Sequence, residues 1–304
     1  MTTTSTVGTG KYTYTMDENW AKIPEGWEMP AAAVFGDSKD RVYCFNRDAD
    51  HPIVIFDREG NYVSSWGGGE IRFAHSILLD KDDNVWLVDR DHCQIMKFTN
   101  DGKLLMTIGT KGFRSDTGAD NSVFSSNGYK EVVRGGDPFN LPAGIALNDA
   151  GEVFIADGYA NARVHKFAPD GTHLLSWGGP GTGAGEFNLP HGVWIDRRGR
   201  VLVADRENDR VQVFTQNGEH ITTWPTKLIG PALFCVDDED IVYIPEHNGG
   251  FISIWNLDGE RLAHWGEEIH RSCHGVWVDS HKDLYVVMPG EWRPRRVVKF
   301  TRQG

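Results

Sequence analysis

Three histidines stand out for their chemistry. His75, His191 and His274 each open a similar stretch, HSILLD, HGVWID and HGVWVD, and each precedes an aspartate (Asp80, Asp196, Asp279) by five residues. Equivalent stretches opening at Ala32, Ala143 and Ala232 carry alanine instead. The opening residue therefore alternates strictly: Ala32, His75, Ala143, His191, Ala232, His274. Three neutral imidazoles aimed at one point, with a fourth position open, form the shell of a catalytic zinc ion, with Zn–N near about 2.0–2.1 Å. Nitrogen donors favour zinc, or another borderline divalent metal, over the hard oxygen-seeking cations. One such histidine alone would read as a hydrogen-bonded residue at a strand end; three in alternation read as ligands. The remaining histidines do not recur at this place.

Whether the three imidazoles can meet depends on the elements that carry them. The stretches open six repeats, at residues 32, 75, 143, 191, 232 and 274, in steps of 43, 68, 48, 41 and 42. Each repeat begins with a short apolar run. An acid or amide follows at the fifth place: Asp37, Asp80, Asn148, Asp196, Asp237, Asp279. A turn and an alternating run such as EVFIAD or RVLVAD come next. A third run ends in an aromatic (Phe56, Phe98, Phe167, Phe214, Trp255, Phe300), and after a glycine turn a fourth run usually ends in Trp. Four period-2 runs with tight turns in about 40–45 residues are a propeller blade. The expected fold is all-β, a single six-bladed β-propeller over residues 1–304. The long step holds an insertion, about Thr110 to Leu141, rich in Gly, Ser, Asp and Asn, which reads as an elaborated loop able to cover a site. The sixth repeat stops at Phe300 after three runs. Lys11 to Trp20 (KYTYTMDENW) alternates like a fourth and is expected to close the ring, leaving no open sheet edge. Trp66, Trp177, Trp224 and Trp265 at the blade ends read as packing residues.

First strands of blades line the central channel, so alternate blades aim the histidines at the axis while alanines leave room. The second strand runs antiparallel to the first, and its end returns to the same face. Fifteen places after the opening residue stand Arg47, Arg90, Gly158, Arg206, His247 and Pro289, with Tyr159 one further on. Three arginines and a tyrosine are expected to rim the channel mouth. Arginine suits bidentate recognition of carboxylate or phosphate, and a tyrosine beside a divalent cation can serve as a general base. Alternatively, the arginines pair with Asp89, Asp157 and Asp205 to bridge blades.

Composition narrows the classes. There are 35 glycines and 11 tryptophans, as many turns and aromatic packing contacts require. A net charge of −12 argues against nucleic acid or an anionic membrane as partner. No apolar run approaches the roughly 18 residues of a membrane span. The opening residues lack an apolar leader core, and Cys44, Cys93, Cys235 and Cys273 form no close pair. Together these features lead to an expected cytoplasmic, bacterial setting with reduced thiols.

The segments DGYANARVHKF and FNLPHGVWIDRRGRVLVADRENDRVQVF resemble NHL-repeat propellers, and more specifically the peptidyl-α-hydroxyglycine α-amidating lyases. The resemblance covers essentially all six repeats. It places His75 (FAHSILLDKDDNVWLVD), His191 (LPHG) and His274 (CHG) on that family's zinc ligands, Tyr159 (DGYANAR) on its catalytic tyrosine, and Arg47 (FNRDADH) and Arg206 (ADREN) on its active-site arginines. It implies a zinc-dependent lyase that cleaves a carbinolamide to an amide and glyoxylate; Arg90, placed at the rim by its position in the repeat, is the candidate for substrate binding. Ala160 stands where the family has a cysteine, so that disulfide is absent. Gly275 replaces an aspartate of the structural calcium site, and Ser272 a residue that is often methionine. Structural Ca2+ is thus in doubt, although backbone ligands such as the carbonyl of Ile77 persist. The substrate expected is a small-molecule or peptide-like hydroxylated compound.

Two other classes compete. A metal-dependent hydratase or lactonase-type hydrolase also fits a propeller with an axial metal, but such sites usually hold calcium with Asp, Asn and Glu, and the three histidines count against it. A non-catalytic NHL-repeat interaction scaffold gives no reason for alternating axial histidines.

Overall fold

The computed structural model of the protein describes residues 5–266, 272–289 and 296–304. The strands form six antiparallel sheets, five of four strands and one of five. Blade two is typical: Ala74–Leu79, Val85–Asp89, Gln94–Phe98 and Leu104–Ile108 pair in chain order from the axis outward. The residues that set the repeat now have physical roles. Asp196 accepts the backbone N–H groups of Arg198 and Arg200, both at short range, and closes the turn between the first two strands of blade four. Asp37, Asp80, Asp237 and Asp279 do the same in their own blades. Aspartate recurs there because its short carboxylate substitutes for a missing turn partner. These acids lie at the opposite end of the first strand from the histidines and take no part in the candidate metal shell.

Aromatic pairs join the blades. Each terminal Trp packs on the third-strand aromatic of the next blade: Trp66 on Phe98 at 5.2 Å, Trp177 on Phe214 at 6.0 Å, Trp224 on Trp255 at 5.6 Å and Trp265 on Phe300 at 6.3 Å. The glycine of the following turn lies against the same indole. Gly218 (φ +83°) and Gly259 (φ +79°) are in the left-handed region, and a β-carbon there would come within 2.8 Å of Trp177 and 2.4 Å of Trp224. Blade two ends in Ile108 instead, and Phe139 of the insertion covers Phe167 at 5.5 Å.

The ring closes as expected, with one addition. Tyr12–Asp17 pairs with Arg296–Arg302 as the fourth strand of blade six. Ser5–Thr9 then folds back on it as a fifth strand, through a two-residue turn whose Gly10 has φ +58°. The fourth strand ends at Asp17, so Trp20 lies beyond it. Trp20 still bridges the seam, 4.9 Å from Tyr285 of blade six and 5.6 Å from Phe56 of blade one, and its indole N–H donates to the carbonyl of Arg58. Residues 290–295, part of the sixth repeat, fall outside the described residues. Blade five departs from the pattern: its first strand shrinks to Cys235–Val236. Leu233, just before it, bonds to blade six instead, its N–H donating to His274 and its carbonyl accepting from Val276. All four cysteines are buried free thiols, and burial pushes each thiol up in pKa.

Candidate metal centre and its rim

The first strands present their opening residues through a repeated irregularity. In blades one to four the pairing register slips by one place, and the extra residue is Ala32, His75, Ala143 or His191. A bulge of this kind kinks the strand and redirects a side chain, here toward the axis. His274 sits immediately before Gly275–Val278. The three imidazoles meet: ring centroids are 4.9, 4.9 and 4.8 Å apart, and one nitrogen from each lies within 4.8 Å of the other two. All three residues are buried.

Two of the alanines hold imidazoles through their backbone carbonyls. The Nδ1 of His75 donates to the carbonyl of Ala143 at 2.7 Å, and that of His274 donates to Ala32 at 2.6 Å. Each of these histidines is oriented by the backbone of the next blade, the arrangement that fixes tautomers in metal-ligating imidazoles. Neighbouring first strands come so close that a β-carbon on Gly192 would lie 2.4 Å from the Ala232 carbonyl, which requires glycine after His191.

With Nδ1 protonated in this way, Nε2 of His75 and of His274 offers a lone pair toward the axis. His75 Nε2 and His191 Nε2 each lie 3.1 Å from the Tyr159 hydroxyl, which has one proton to give, and His274 Nε2 has no partner among the described residues. Protonation is opposed for all three. Burial, foremost, and the nearby Arg47 and Arg90 guanidiniums hold His75 well below its ordinary 6.5; burial and Arg206 do so for His191; burial, His75 and Arg47 do so for His274. Lone pairs converging where protons are excluded suit a divalent cation, and an all-nitrogen set suits zinc.

The expected rim assembles on the same face. Tyr159 is buried, its oxygen between His75 and His191. Arg206 is buried too; it donates to Tyr159 Oη at 3.3 Å and through Nε to Glu207 at 2.9 Å. Arg90 stacks over Phe73 at 3.9 Å and over Tyr159 at 5.0 Å, and donates to Asp91 and Ser126. Arg47 lies over the other reach of Phe73 at 4.3 Å and donates weakly to the Ala74 carbonyl. The alternative of inter-blade pairing with Asp89, Asp157 and Asp205 is not what forms. Those aspartates instead accept backbone N–H groups of the loop entering their own blade, from Arg72 and Phe73, Asn140, and Asn188.

Other residues of the rim carry no signal in the repeat. Phe73 is the platform shared by Arg47 and Arg90. Asp91 and Glu207 bond the arginine just before them. The insertion reaches the rim: Ser126 accepts from Arg90, Tyr129 stands near Glu207, where burial and that carboxylate push its hydroxyl up in pKa, and Thr117 donates to the Ala160 carbonyl. His247, fifteen places into blade five, stands 5.8 Å from His274, where burial and Arg206 hold it near about 4.

Fold and site together define a six-bladed propeller with a histidine shell on its axis and a cationic, tyrosine-bearing rim. Residues 96–248 match the SMP-30/gluconolactonase/LRE-like region, half of the chain, and the protein belongs to that family. The chain is 30% identical over 237 residues to peptidyl-alpha-hydroxyglycine alpha-amidating lyase 1 of Drosophila melanogaster, covering 73% of this chain and 39% of the fly protein. It is 31% identical over 228 residues to the human NHL repeat-containing protein 3, covering 71% of this chain and 61% of that one. It thus spans about two fifths and three fifths of these relatives. Among solved structures, a streptogramin B lyase superposes with a TM-score of 0.66 at 13% identity, covering 95% of this chain and 98% of that one. A gluconolactonase from Xanthomonas campestris superposes with 0.65 at 11% identity, covering 95% and 90%. These matches bear out the resemblance to NHL-type propellers and amidating lyases. The named relatives include enzymes, lyases and a lactonase. Among the described residues no helix is long and apolar enough to cross a membrane.

Proposed function

We propose that the protein is a zinc-dependent lyase that cleaves at a hydroxyl-bearing carbon, acting on an N-acylated α-hydroxyglycine or a chemically similar carbinolamide. The observation that carries this reading is the Tyr159 hydroxyl, placed 3.1 Å from two of the three converging imidazoles and bonded to Arg206. His75, His191 and His274 would hold the ion, which supplies Lewis acidity toward a substrate hydroxyl when bound.

With its own proton given up beforehand, Tyr159 Oη acts as a phenolate whose charge Arg206 balances, takes the hydroxyl proton, and returns it to the departing nitrogen. The oxygen's electron pair forms the new C=O bond, the C–N bond breaks, and the nitrogen leaves as an amide after regaining a proton. The second product is glyoxylate, so the substrate carries a carboxylate. Arg47 and Arg90, sharing Phe73, are the cations for it at the mouth. Ser126 of the insertion accepts from Arg90 and holds that guanidinium at the mouth. A cytoplasmic location and a peptide-like or small-molecule substrate go with this reading.

The family match gives a hydrolase of the lactonase type a specific claim. The donor set separates the two, since three imidazoles offer nothing to the oxygen-ligated calcium such hydrolysis usually employs. The test is zinc-loaded protein with an N-acyl-α-hydroxyglycine, following glyoxylate release, alongside a sugar lactone as the competing substrate. Glyoxylate formation that disappears in His191→Ala supports the lyase. Lactone opening without glyoxylate overturns it.

A further inference from the structure

Among the described residues, one other group of metal-ligating side chains converges, and it lies away from the axis. Asp137, His165 and His173 each bring one ligand atom within 4.8 Å of the other two. His165 lies on the third strand of blade three, Arg163–Phe167, and His173 opens the fourth, His173–Trp177. Asp137 comes from the end of the insertion.

His165 is built as a ligand. It is fully buried, and its Nε2 faces a carboxylate oxygen of the equally buried Asp157 at 3.2 Å. A carboxylate accepts and does not donate, so Nε2 carries the proton and Nδ1 keeps the lone pair. That lone pair faces Ser176 Oγ at 2.8 Å and Asp137 Oδ1 at 3.5 Å. His173 Nε2 approaches the same hydroxyl from the other side at 2.8 Å. A carboxylate behind a histidine, fixing its tautomer, is the usual support of a metal ligand. The 3.5 Å separation of Nδ1 from Asp137 is close to the edge of a tetrahedron around zinc, about 3.4 Å for bonds of about 2.0–2.1 Å. Arg163, with Nε 3.8 Å from Asp137, is the cation a metal would have to outcompete for that carboxylate.

We propose that Asp137, His165 and His173 form a second divalent-metal site, selective for zinc-like ions, that pins the end of the insertion to the outer strands of blade three. The ion would be outside the active channel and replaceable. Its effect is on the segment that carries Ser126 and Tyr129 over the rim.

The experiment uses the full chain stripped with chelator and titrated with zinc by calorimetry, as wild type, His173→Asn, Asp137→Asn and His191→Asn. The two outer substitutions fall on exposed or half-exposed side chains, so folding is preserved. Wild type should take two equivalents, His173→Asn and Asp137→Asn one, and His191→Asn should keep the outer one. Proteolysis within residues 110–141 should slow by about tenfold at zinc ten times above the outer dissociation constant, in wild type and not in His173→Asn. Zinc uptake that neither outer substitution reduces, or none left in His191→Asn, overturns the proposal.

Discussion

Lowering the pH should destabilise the metal-free protein through the axial histidines, by an amount that can be worked out. In the unfolded chain each imidazole titrates near 6.5; in the fold, burial and the rim guanidiniums hold His75, His191 and His274 well below that. A base with a depressed folded pKa gives stability that is fully present above 6.5. That stability is lost as the pH falls from 6.5 toward the folded value, because only the unfolded chain takes up the proton. Between pH 7 and pH 5 the linkage amounts to about 2 kcal/mol for each histidine that stays neutral, hence about 6 kcal/mol for the three. His247, held near about 4, adds a fourth increment of similar size. The assay is urea denaturation with chelator at pH 7 and pH 5, for wild type and for His75→Gln, His191→Gln and His274→Gln. Every other titrating group cancels in the comparison, so each variant should lose about 2 kcal/mol less than wild type over the interval. If all three variants keep the pH dependence of wild type, the imidazoles take up protons inside the fold, and the reasoning about a proton-free, cation-seeking shell is wrong.

Further outcomes can be stated briefly. Tyr159→Phe should leave zinc content unchanged by metal analysis and lower glyoxylate release by about 10²–10⁴-fold, the usual worth of a general base; near-normal turnover would make Tyr159 a packing residue. Arg206→Ala removes the cation beside the Tyr159 oxygen and should cost about 1.5–3 kcal/mol of transition-state stabilisation, read as a lowered kcat with KM little changed. Gly259→Ala should cost about 1–3 kcal/mol in thermal or urea unfolding, because its β-carbon meets Trp224 and its φ is +79°.

The repeat made much of this molecule readable in advance. Strands alternate with period two, the turn aspartates recur for hydrogen-bonding reasons, and a first strand in a propeller can only face the axis. His75, His191 and His274 followed from that, and so did the return of Arg47, Arg90, Arg206 and Tyr159 to the same mouth. What escaped lies outside the period. Ser126 and Tyr129 sit in an insertion with no alternation, so nothing local places them over Arg90 and Glu207. Asp91 and Glu207 each bond their immediate neighbour, and an Arg-Asp or Arg-Glu pair in a loop has no distinctive spacing. The inter-blade role first open to Asp89, Asp157 and Asp205 gave way to partners within their own blades: backbone N–H groups of the entering loop for all three, and Arg210 as well for Asp205. Ser5–Thr9 is too short and too polar to declare itself a fifth strand, and the curtailed first strand of blade five reflects backbone groups spent on blade six.

The bond from His274 Nδ1 to the Ala32 carbonyl spans the seam where the chain's two ends meet. An ion on the axis would therefore act as a rivet for the whole ring, since it can be gripped at full strength only while the seam is shut. Grip and closure are then the same equilibrium seen from two sides. Cutting away the hairpin of residues 5–17, which carries none of the three axial histidines, should accordingly loosen zinc, and saturating zinc should restore the order that the missing strands had provided. The ion's dissociation constant becomes a strain gauge for the ring.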